Sequence, residues 1–156
     1  MNAQNYMADQ LERLAESYSQ FLESTEVDRL QWKPELAGAS ELRTILEQVS
    51  ECVAVNIAVA ALLRGEPVPP MTDTPVPESA TIGRSMLQTS AAELAAEFRA
   101  LTDEDLTKVY PHPKAQILGS NLLMMPLRNM AYHCGQLNLF QMLYGDAEFH
   151  APTNWR

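Results

Sequence analysis

Residues 129 to 146 read Asn-Met-Ala-Tyr-His-Cys-Gly-Gln-Leu-Asn-Leu-Phe-Gln-Met-Leu-Tyr-Gly-Asp, and this stretch decides the fold class. Its apolar residues recur at spacings of three and four, which is typical of an amphipathic helix. Gly145 and Asp146 end the pattern, because glycine is the residue that most often closes a helix. The stretch therefore predicts a helix over about residues 120 to 144 that carries one histidine, His133, in its interior.

The same spacing of apolar residues occurs in three earlier segments, so a bundle of four helices is predicted. These segments cover about residues 3 to 24, 41 to 64 and 80 to 101. Ser40 is the predicted N-cap of the second helix, and Gly65 is its predicted C-cap. No segment alternates apolar and polar residues convincingly, so no strand is predicted, and residues 107 to 119 are expected to form a loop. Residues 1–156 are predicted to form a single all-α domain.

Prolines shape the connections between the predicted helices. Five of them lie between residues 65 and 78, which predicts a long, Pro-rich, extended crossover between the second and third helices. Pro126 lies inside the fourth helix and predicts either a kink or a later start. Ser90 and Glu93 have capping-box spacing, so the first part of the third helix could be a separate turn.

Charge and cysteine content limit the classes of partner. The net charge of −9 disfavours binding to the phosphates of nucleic acids or of anionic lipids. No apolar run approaches the ~18 residues that span a bilayer, and the N-terminus lacks the pattern of a signal peptide. The two cysteines, Cys52 and Cys134, lie in predicted helices, which fits a reducing compartment better than a disulfide scaffold. The expected location is cytoplasmic, with no nucleic-acid or membrane partner.

One face of the fourth helix is polar where it should turn toward the bundle interior. Five residues share this face because helical spacings separate them: Met125, Asn129, His133, Gln136 and Phe140. Buried amides and imidazoles need hydrogen-bond partners. Either this row forms a polar network with the second helix, or it binds a metal ion or a small ligand.

The row, together with the Gly-Gln pair that follows His133, resembles the last helix of the DinB-like (YfiT-like) four-helix bundles. Many members of that family hold a divalent metal with one histidine on the second helix and a His-x-x-x-His pair on the fourth, followed by Gly-Gln. The sequence His133-Cys-Gly135-Gln136 matches the second member of that pair and the residues after it. The first member falls on Asn129, and the position on the second helix falls on Gln48.

The resemblance therefore implies a degenerate metal site formed by His133, Asn129 and Gln48. Two of these three residues are carboxamides, which bind Zn²⁺ or Ni²⁺ much more weakly than an imidazole does. Three further side chains could complete a site: Glu51, Cys52 and His112. The expectation is that no cofactor is bound, and a divalent metal, Zn²⁺ or Ni²⁺, is the alternative.

Two functions remain open. The first is a non-catalytic bundle that binds a small molecule or acts as a stress-associated protein. Its pocket residues would be Gln136, Cys52, Glu51, Phe140 and Met125. The second, which the resemblance implies, is a metal-assisted, thiol-dependent transferase or isomerase in which His133 is a catalytic residue, as metal ligand or general base.

The fourth helix also suggests self-association. It is apolar over more than one face and is rich in methionine, at Met124, Met125, Met130 and Met142. Core packing is the default interpretation of these residues, and a pocket wall or a dimer face is the alternative. Bundles of this size often pair through helices, so a homodimer is predicted.

Overall fold

The computed structural model describes residues 1–34, 42–112 and 115–150. Four long helices dominate the described residues, which confirms the predicted all-α bundle. The helices are α1 (Ala3–Ser24), α2 (Ile45–Arg64), α3 (Ala80–Ala100), the short α4 (Asp103–Thr107) and α5 (Gly119–Tyr144). Short 3₁₀ turns at Val27–Arg29 and Met71–Asp73 lie in the connections that follow α1 and α2. Both α1 and α2 pack against both α3 and α5, and the apolar faces of the four long helices enclose one core.

Among the described residues, α2 is the one helix with the length and apolar composition to span a bilayer, although no apolar run of that length was expected from the sequence. Most of this helix is buried inside the bundle. Ile45, Val49 and Val59, for example, are almost completely enclosed by protein. The apolar character of α2 is therefore that of a core helix, which needs apolar residues around most of its circumference.

The start of α2 differs from the prediction and shapes the site described below. The helix begins at Ile45, not at about residue 41, and Thr44 is its N-cap. The Thr44 side chain accepts a hydrogen bond from the Glu47 backbone N–H (3.2 Å), and a Glu47 carboxylate oxygen accepts one from the Thr44 N–H (2.6 Å). This capping box satisfies two backbone donors at once. The predicted cap, Ser40, lies outside the described residues.

Two glycines close long helices as predicted. Gly65 ends α2 with a φ of 71°, and Gly145 ends α5 with a φ of 107°. A side chain with a Cβ is strained in this left-handed conformation, so glycine is favoured there. In each case the glycine N–H returns to carbonyl oxygens of the last helical turn, which stops the helix at that point.

The third helix is continuous over Ala80–Ala100, as predicted, and the alternative of a separate turn at its start does not apply. Its N-cap is Ser79, whose side chain accepts a hydrogen bond from the Ile82 N–H. Ser90 does not cap a helix. Its hydroxyl donates to the Leu87 carbonyl oxygen at 3.1 Å and accepts a hydrogen bond from the Asn56 side chain of α2 at 3.0 Å. Ser90 thus links α3 to α2. Its spacing from Glu93 suggested a cap and could not indicate this contact.

The segment before α5 is a hairpin, so the predicted loop over residues 107 to 119 is wrong. Strands β1 (Val109–His112) and β2 (Ala115–Leu118) pair in antiparallel register, with Tyr110 opposite Ile117. Tyr110 is buried in the core, whereas most of its neighbours in the hairpin are exposed. A four-residue strand with one inward side chain leaves too little alternation for the sequence to predict.

The fifth helix begins at Gly119, so the later start that Pro126 suggested is wrong. Gly119 lies so close to α4 that an added Cβ would stand 2.0 Å from the Asp105 carbonyl oxygen. Its N–H donates to the Lys108 carbonyl oxygen at 2.8 Å, which joins the helix start to the hairpin. Pro126 lies two turns inside the helix and is buried.

A glutamine fixes α5 against the end of α1. Gln141 is completely buried, and its side-chain amide donates to the Phe21 carbonyl oxygen at 3.0 Å. The same amide lies within hydrogen-bond distance of the Ser24 hydroxyl (3.0 Å) and the Thr25 hydroxyl (3.2 Å). These contacts satisfy carbonyl and hydroxyl groups where α1 ends, so they set the position of α5 relative to α1.

Candidate functional site

A cavity of about 310 Å³ lies between the start of α2 and the middle of α5. Its lining is mixed, with aromatic and aliphatic walls beside polar groups: Leu42, Arg43, Gln48, Tyr132, His133, Gln136 and Phe140. The volume is at the lower end of the range for pockets that hold small organic molecules. The structure thus brings together four residues that the sequence singled out: Gln48, His133, Gln136 and Phe140.

His133 lies at the centre of this arrangement and is buried, with 4% of its surface exposed. Its Nδ1 is 2.8 Å from the side-chain oxygen of Gln136, one helical turn later. Because an amide oxygen can only accept, Nδ1 carries the proton and donates it to this bond. The neutral ring then keeps a free electron pair on Nε2, which lies 3.5 Å from a Glu51 carboxylate oxygen of α2.

The surroundings of His133 favour its neutral form. Burial lowers the pKa of the imidazole below its usual range, and the positive charge of Arg43 lowers it further. The hydrogen bond with Gln136 acts in the opposite direction and raises the pKa, but burial is the larger effect. At neutral pH the ring is therefore uncharged and can accept a proton or a hydrogen bond at Nε2.

Glu51 lies between two basic groups. One of its carboxylate oxygens faces Nε2 of His133, and the other pairs with Nη1 of Arg43. The Glu51 side chain is mostly buried, whereas more than half of the Arg43 side chain is exposed. Arg43 comes before the first turn of α2, and it carries the guanidinium to the mouth of the cavity.

Two carboxamide oxygens near the cavity have no hydrogen-bond partner among the described residues. They are Oε1 of Gln48 and Oδ1 of Asn129, and both are buried. The amide nitrogen of Gln48 donates to the Arg43 carbonyl oxygen at 3.1 Å, so that side chain is held in one orientation. A buried acceptor without a donor typically costs ~1–3 kcal/mol. Gln48 lines the cavity, so its oxygen can accept a hydrogen bond from a molecule bound there, whereas Asn129 lies outside the lining.

Several residues singled out from the sequence do not line the cavity. Met125 and Asn129 lie on the same face of α5 but at an earlier turn. Cys52 is buried in the core at 1% exposure. His112 lies in strand β1, where it pairs with Ala115, and not in a loop. The expectation that His112 could complete a site beside His133 receives no support from this placement.

Neither cysteine has the surroundings of a reactive thiol. Burial raises the pKa of the Cys52 thiol far above its usual range, and it raises the pKa of Cys134 to about 11. The thiolate is the reactive form of cysteine, so both groups are unreactive at neutral pH. This agrees with the helical geometry, in which neighbouring residues such as His133 and Cys134 point about 100° apart.

Sequence reasoning missed three lining residues: Leu42, Arg43 and Tyr132. A signal for the first two was present, because Thr44 and Glu47 have the spacing of a capping box, which places both residues before the helix. Tyr132 gave no signal, since it belongs to another face of α5. Its ring nevertheless lies 5.2 Å from the ring of His133, in an edge-on arrangement.

The donor groups near His133 are poor in the ligands that transition metals prefer. No group of three or more His, Cys, Asp or Glu side chains in residues 1–34, 42–112 and 115–150 is arranged to hold a metal ion. His133 and Glu51 are the two such side chains that approach each other here. The remaining groups are carboxamides and the guanidinium of Arg43, whose charge opposes the entry of a cation.

Comparisons with known proteins agree with the fold. A family model described as the DinB superfamily matches residues 10–137. The crystal structure of YjoA, a DinB-like protein from Bacillus subtilis, is similar at a TM-score of 0.69 and 17% identity, covering 94% of this chain and 98% of that one. A DinB-like protein from Bacillus cereus ATCC 10987 has a TM-score of 0.65 and 19% identity, with 92% and 91% covered. At these identities the two structures show a common fold alone. No curated protein sequence matches this chain.

Proposed function

This chain belongs to the DinB superfamily, and from that premise we propose that it binds a small organic molecule in the cavity beside His133 without a resident metal ion. The observation that carries the proposal is Gln48, whose side chain lines the cavity and whose buried oxygen has no hydrogen-bond donor among the described residues. A ligand N–H or O–H group would supply that donor. The cytoplasm is the proposed location.

The other groups at the cavity define what such a ligand would contact. Arg43 offers a positive charge at the mouth, and Nε2 of the neutral His133 offers a hydrogen-bond acceptor. Tyr132 and Phe140 provide aromatic surface. Pockets of this kind use apolar walls for affinity and a few fixed polar groups for orientation.

The donor chemistry argues against the three-histidine metal centre that the family implies. At the matching positions stand one imidazole, His133, and two carboxamides, Asn129 and Gln48. The adjacent carboxylate, Glu51, is paired with the guanidinium of Arg43, so its negative charge is already neutralised. A divalent ion would have to displace this arginine while it gained only weak neutral oxygen ligands. The residues present thus do not fit a high-affinity Zn²⁺ or Ni²⁺ site.

One observation favours a second function, a thiol-dependent transferase or isomerase. The hydrogen bond to Gln136 fixes the tautomer of His133, and burial keeps the ring neutral, which leaves Nε2 ready to accept a proton. A general base of this kind could deprotonate a substrate thiol without a metal. Cys52 is buried, Cys134 is half-buried, and the raised pKa values keep both thiols protonated at neutral pH. The thiol would therefore come from the substrate and not from the chain.

The metal-free state can be tested directly. Protein purified without an affinity tag is incubated with Zn²⁺, Ni²⁺ or Mn²⁺, desalted, and analysed for bound metal by elemental analysis. We expect far less than one equivalent of each ion, and the same result for His133→Ala. One equivalent that is retained by the natural protein and lost in His133→Ala would refute the metal-free proposal.

Ligand binding can be followed through tryptophan fluorescence. The ring of Trp32 lies 5.9 Å from the ring of Phe140, which lines the cavity, so Trp32 should report on occupancy. A Trp155→Phe background removes the signal of the other tryptophan. Small carboxylic acids and amides are screened, and hits are repeated with His133→Ala and with the control His150→Ala. Binding should be lost only in His133→Ala, with both variants folded. Hits that bind His133→Ala equally well would contradict the proposed site.

A further inference from the structure

Arg43 differs from the other arginines that form ion pairs in the described part of the chain. Four arginines each pair with two carboxylates: Arg29, Arg64, Arg84 and Arg99. Arg99, for example, lies 2.9 Å from Asp9 and 2.6 Å from Glu12. Arg43 pairs with one carboxylate among the described residues, that of Glu51. Its guanidinium can therefore take a second carboxylate, as the other four do.

The position of Arg43 makes this second place accessible from the cavity. A guanidinium carries five N–H donors in a planar fork, and the pair with Glu51 is formed through Nη1. The Arg43 side chain is 55% exposed, whereas that of Glu51 is 19% exposed. Arg43 also lines the cavity. The rest of the fork is thus open to a molecule that binds at the mouth.

The polar groups farther inside the cavity are acceptors. Gln48 is 2% exposed, and its side-chain oxygen has no donor among the residues that the structure describes. His133 uses Nδ1 for its hydrogen bond with Gln136, so Nε2 of the neutral ring is an acceptor. An anionic group placed there would face acceptors and the Glu51 carboxylate, which would repel it. The geometry therefore orients a ligand with its acidic group at the mouth and an N–H or O–H group inside.

A carboxylate suits the place beside Arg43 better than a phosphate does. The planar fork of a guanidinium matches the two oxygens of a carboxylate. A phosphate monoester carries up to about two negative charges at neutral pH, so Glu51 would repel it more strongly. Among the described residues that line the cavity, Arg43 is the one with a positive charge, since His133 is neutral. One negative charge on the ligand is therefore the best match.

We infer that the ligand of this cavity is a small monocarboxylate that also carries a hydroxyl or amide donor. Arg43 binds the carboxylate on one side of its guanidinium, while Glu51 holds the other side. The donor of the ligand reaches Gln48 or His133, and its apolar part packs against the aromatic walls. The inference rests on the proposed function, because it names the chemical class that this same site would bind.

The first test compares carboxylic acids with their own primary amides. Mandelate is paired with mandelamide, and 3-phenyllactate with 3-phenyllactamide, so the members of a pair share ring, hydroxyl and size and differ in charge. Titrations follow Trp32 fluorescence in the Trp155→Phe background. Each acid should bind about tenfold more tightly than its amide, because hydrogen bonds to charged groups are stronger. Equal affinities would overturn the inference and leave the proposed function intact, whereas no binding by any probe would count against both.

The second test removes the charge of Arg43. Arg43→Gln should weaken mandelate binding about tenfold and leave mandelamide binding unchanged. The control Arg84→Gln removes an arginine of α3 that does not line the cavity, and it should leave both affinities unchanged. Circular dichroism checks folding. If Arg43→Gln unfolds because Glu51 loses its partner, Arg43→Gln with Glu51→Gln removes that charge as well and takes its place. Equal losses for mandelate and mandelamide would overturn the inference.

The third test examines whether Glu51 and the ligand share the guanidinium. Glu51→Gln removes a carboxylate that competes for Arg43 and repels the carboxylate of the ligand. Mandelate should therefore bind severalfold more tightly to this variant, and mandelamide should bind as before. A residue that only held the cavity in shape would weaken both probes when it was changed. Unchanged or weaker binding of mandelate would overturn the shared arrangement.

Discussion

Two buried polar clusters lie on α5 about two helical turns apart, and they differ in how fully the chain satisfies them. At Gln141 the amide nitrogen reaches one carbonyl and two hydroxyl oxygens at the end of α1. At His133 one contact, with Gln136, is a good hydrogen bond, and the nearby oxygens of Gln48 and Asn129 have no donor among the described residues. Both His133 and Gln141 are almost fully enclosed, so burial alone does not separate the two clusters.

The difference lies in what adjoins each cluster. The Gln141 oxygen also lacks a partner within residues 1–34, 42–112 and 115–150, but Gln141 is not among the residues that line the cavity. His133 and Gln48 do line it, and Arg43 places a charge at its mouth. A polar group packed against protein stabilises the fold, whereas one that faces an accessible space can exchange its partner for a ligand. The Gln141 cluster is therefore structural, and the His133 cluster is the proposed binding site.

The largest expected effect follows removal of the Gln141 amide. Gln141→Leu should lower the free energy of unfolding by about 2 kcal/mol, because buried oxygens at the end of α1 lose a donor. Urea denaturation measures this change. The matched control is Gln20→Leu, which removes a partly buried contact with Glu16 and should change stability by less than about 0.5 kcal/mol. Equal effects in both variants would show that the Gln141 cluster does not hold the bundle together.

A smaller effect should appear as the pH changes. Burial lowers the pKa of folded His133 below its ordinary value near 6.5, so the unfolded chain binds the proton first as the pH falls. The stabilisation from the neutral ring is complete above about pH 6.5 and is lost as the pH falls through the folded pKa. The difference in unfolding free energy between the natural chain and His133→Gln should change over this window by less than about 1.4 kcal/mol per pH unit. A difference that does not vary with pH would contradict the lowered pKa.

The smallest effect is expected at Asn129. Its side-chain oxygen is buried and has no donor in the described part of the chain, so Asn129→Leu removes an unfavourable group instead of a stabilising contact. The free energy of unfolding should change by no more than about 0.5 kcal/mol, and an increase is more consistent with the structure than a decrease. Thermal unfolding compares this variant with Gln141→Leu. A loss as large as that of Gln141→Leu would show that Asn129 belongs to a complete network after all.

Local patterns explain why the helices were predictable. Apolar residues at helical spacing located all four long helices, and Gly65 and Gly145 marked two of their ends. The start of α2 could also have been predicted, because the capping-box spacing of Thr44 and Glu47 is a local signal. It competes with Ser40 as the predicted N-cap. The hairpin could not have been predicted, because β1 and β2 are stabilised by pairing with each other and by the burial of Tyr110 in the core. Neither cause is visible in a four-residue segment.

The sequence by itself determined the helical bundle and the composition of the polar row on α5, because periodicity and residue type are properties of the chain alone. It also determined that carboxamides stand where the family has two of its three histidines. Only the tertiary structure decided which polar atoms are satisfied. The start of α2 and its packing on α5 bring Arg43 to Glu51 and Gln136 to His133. They also leave the Gln48 oxygen without a partner among the residues that the structure describes. Donor–acceptor distances in hydrogen bonds vary by only a few tenths of an ångström, and the packing between helices positions side chains with that precision.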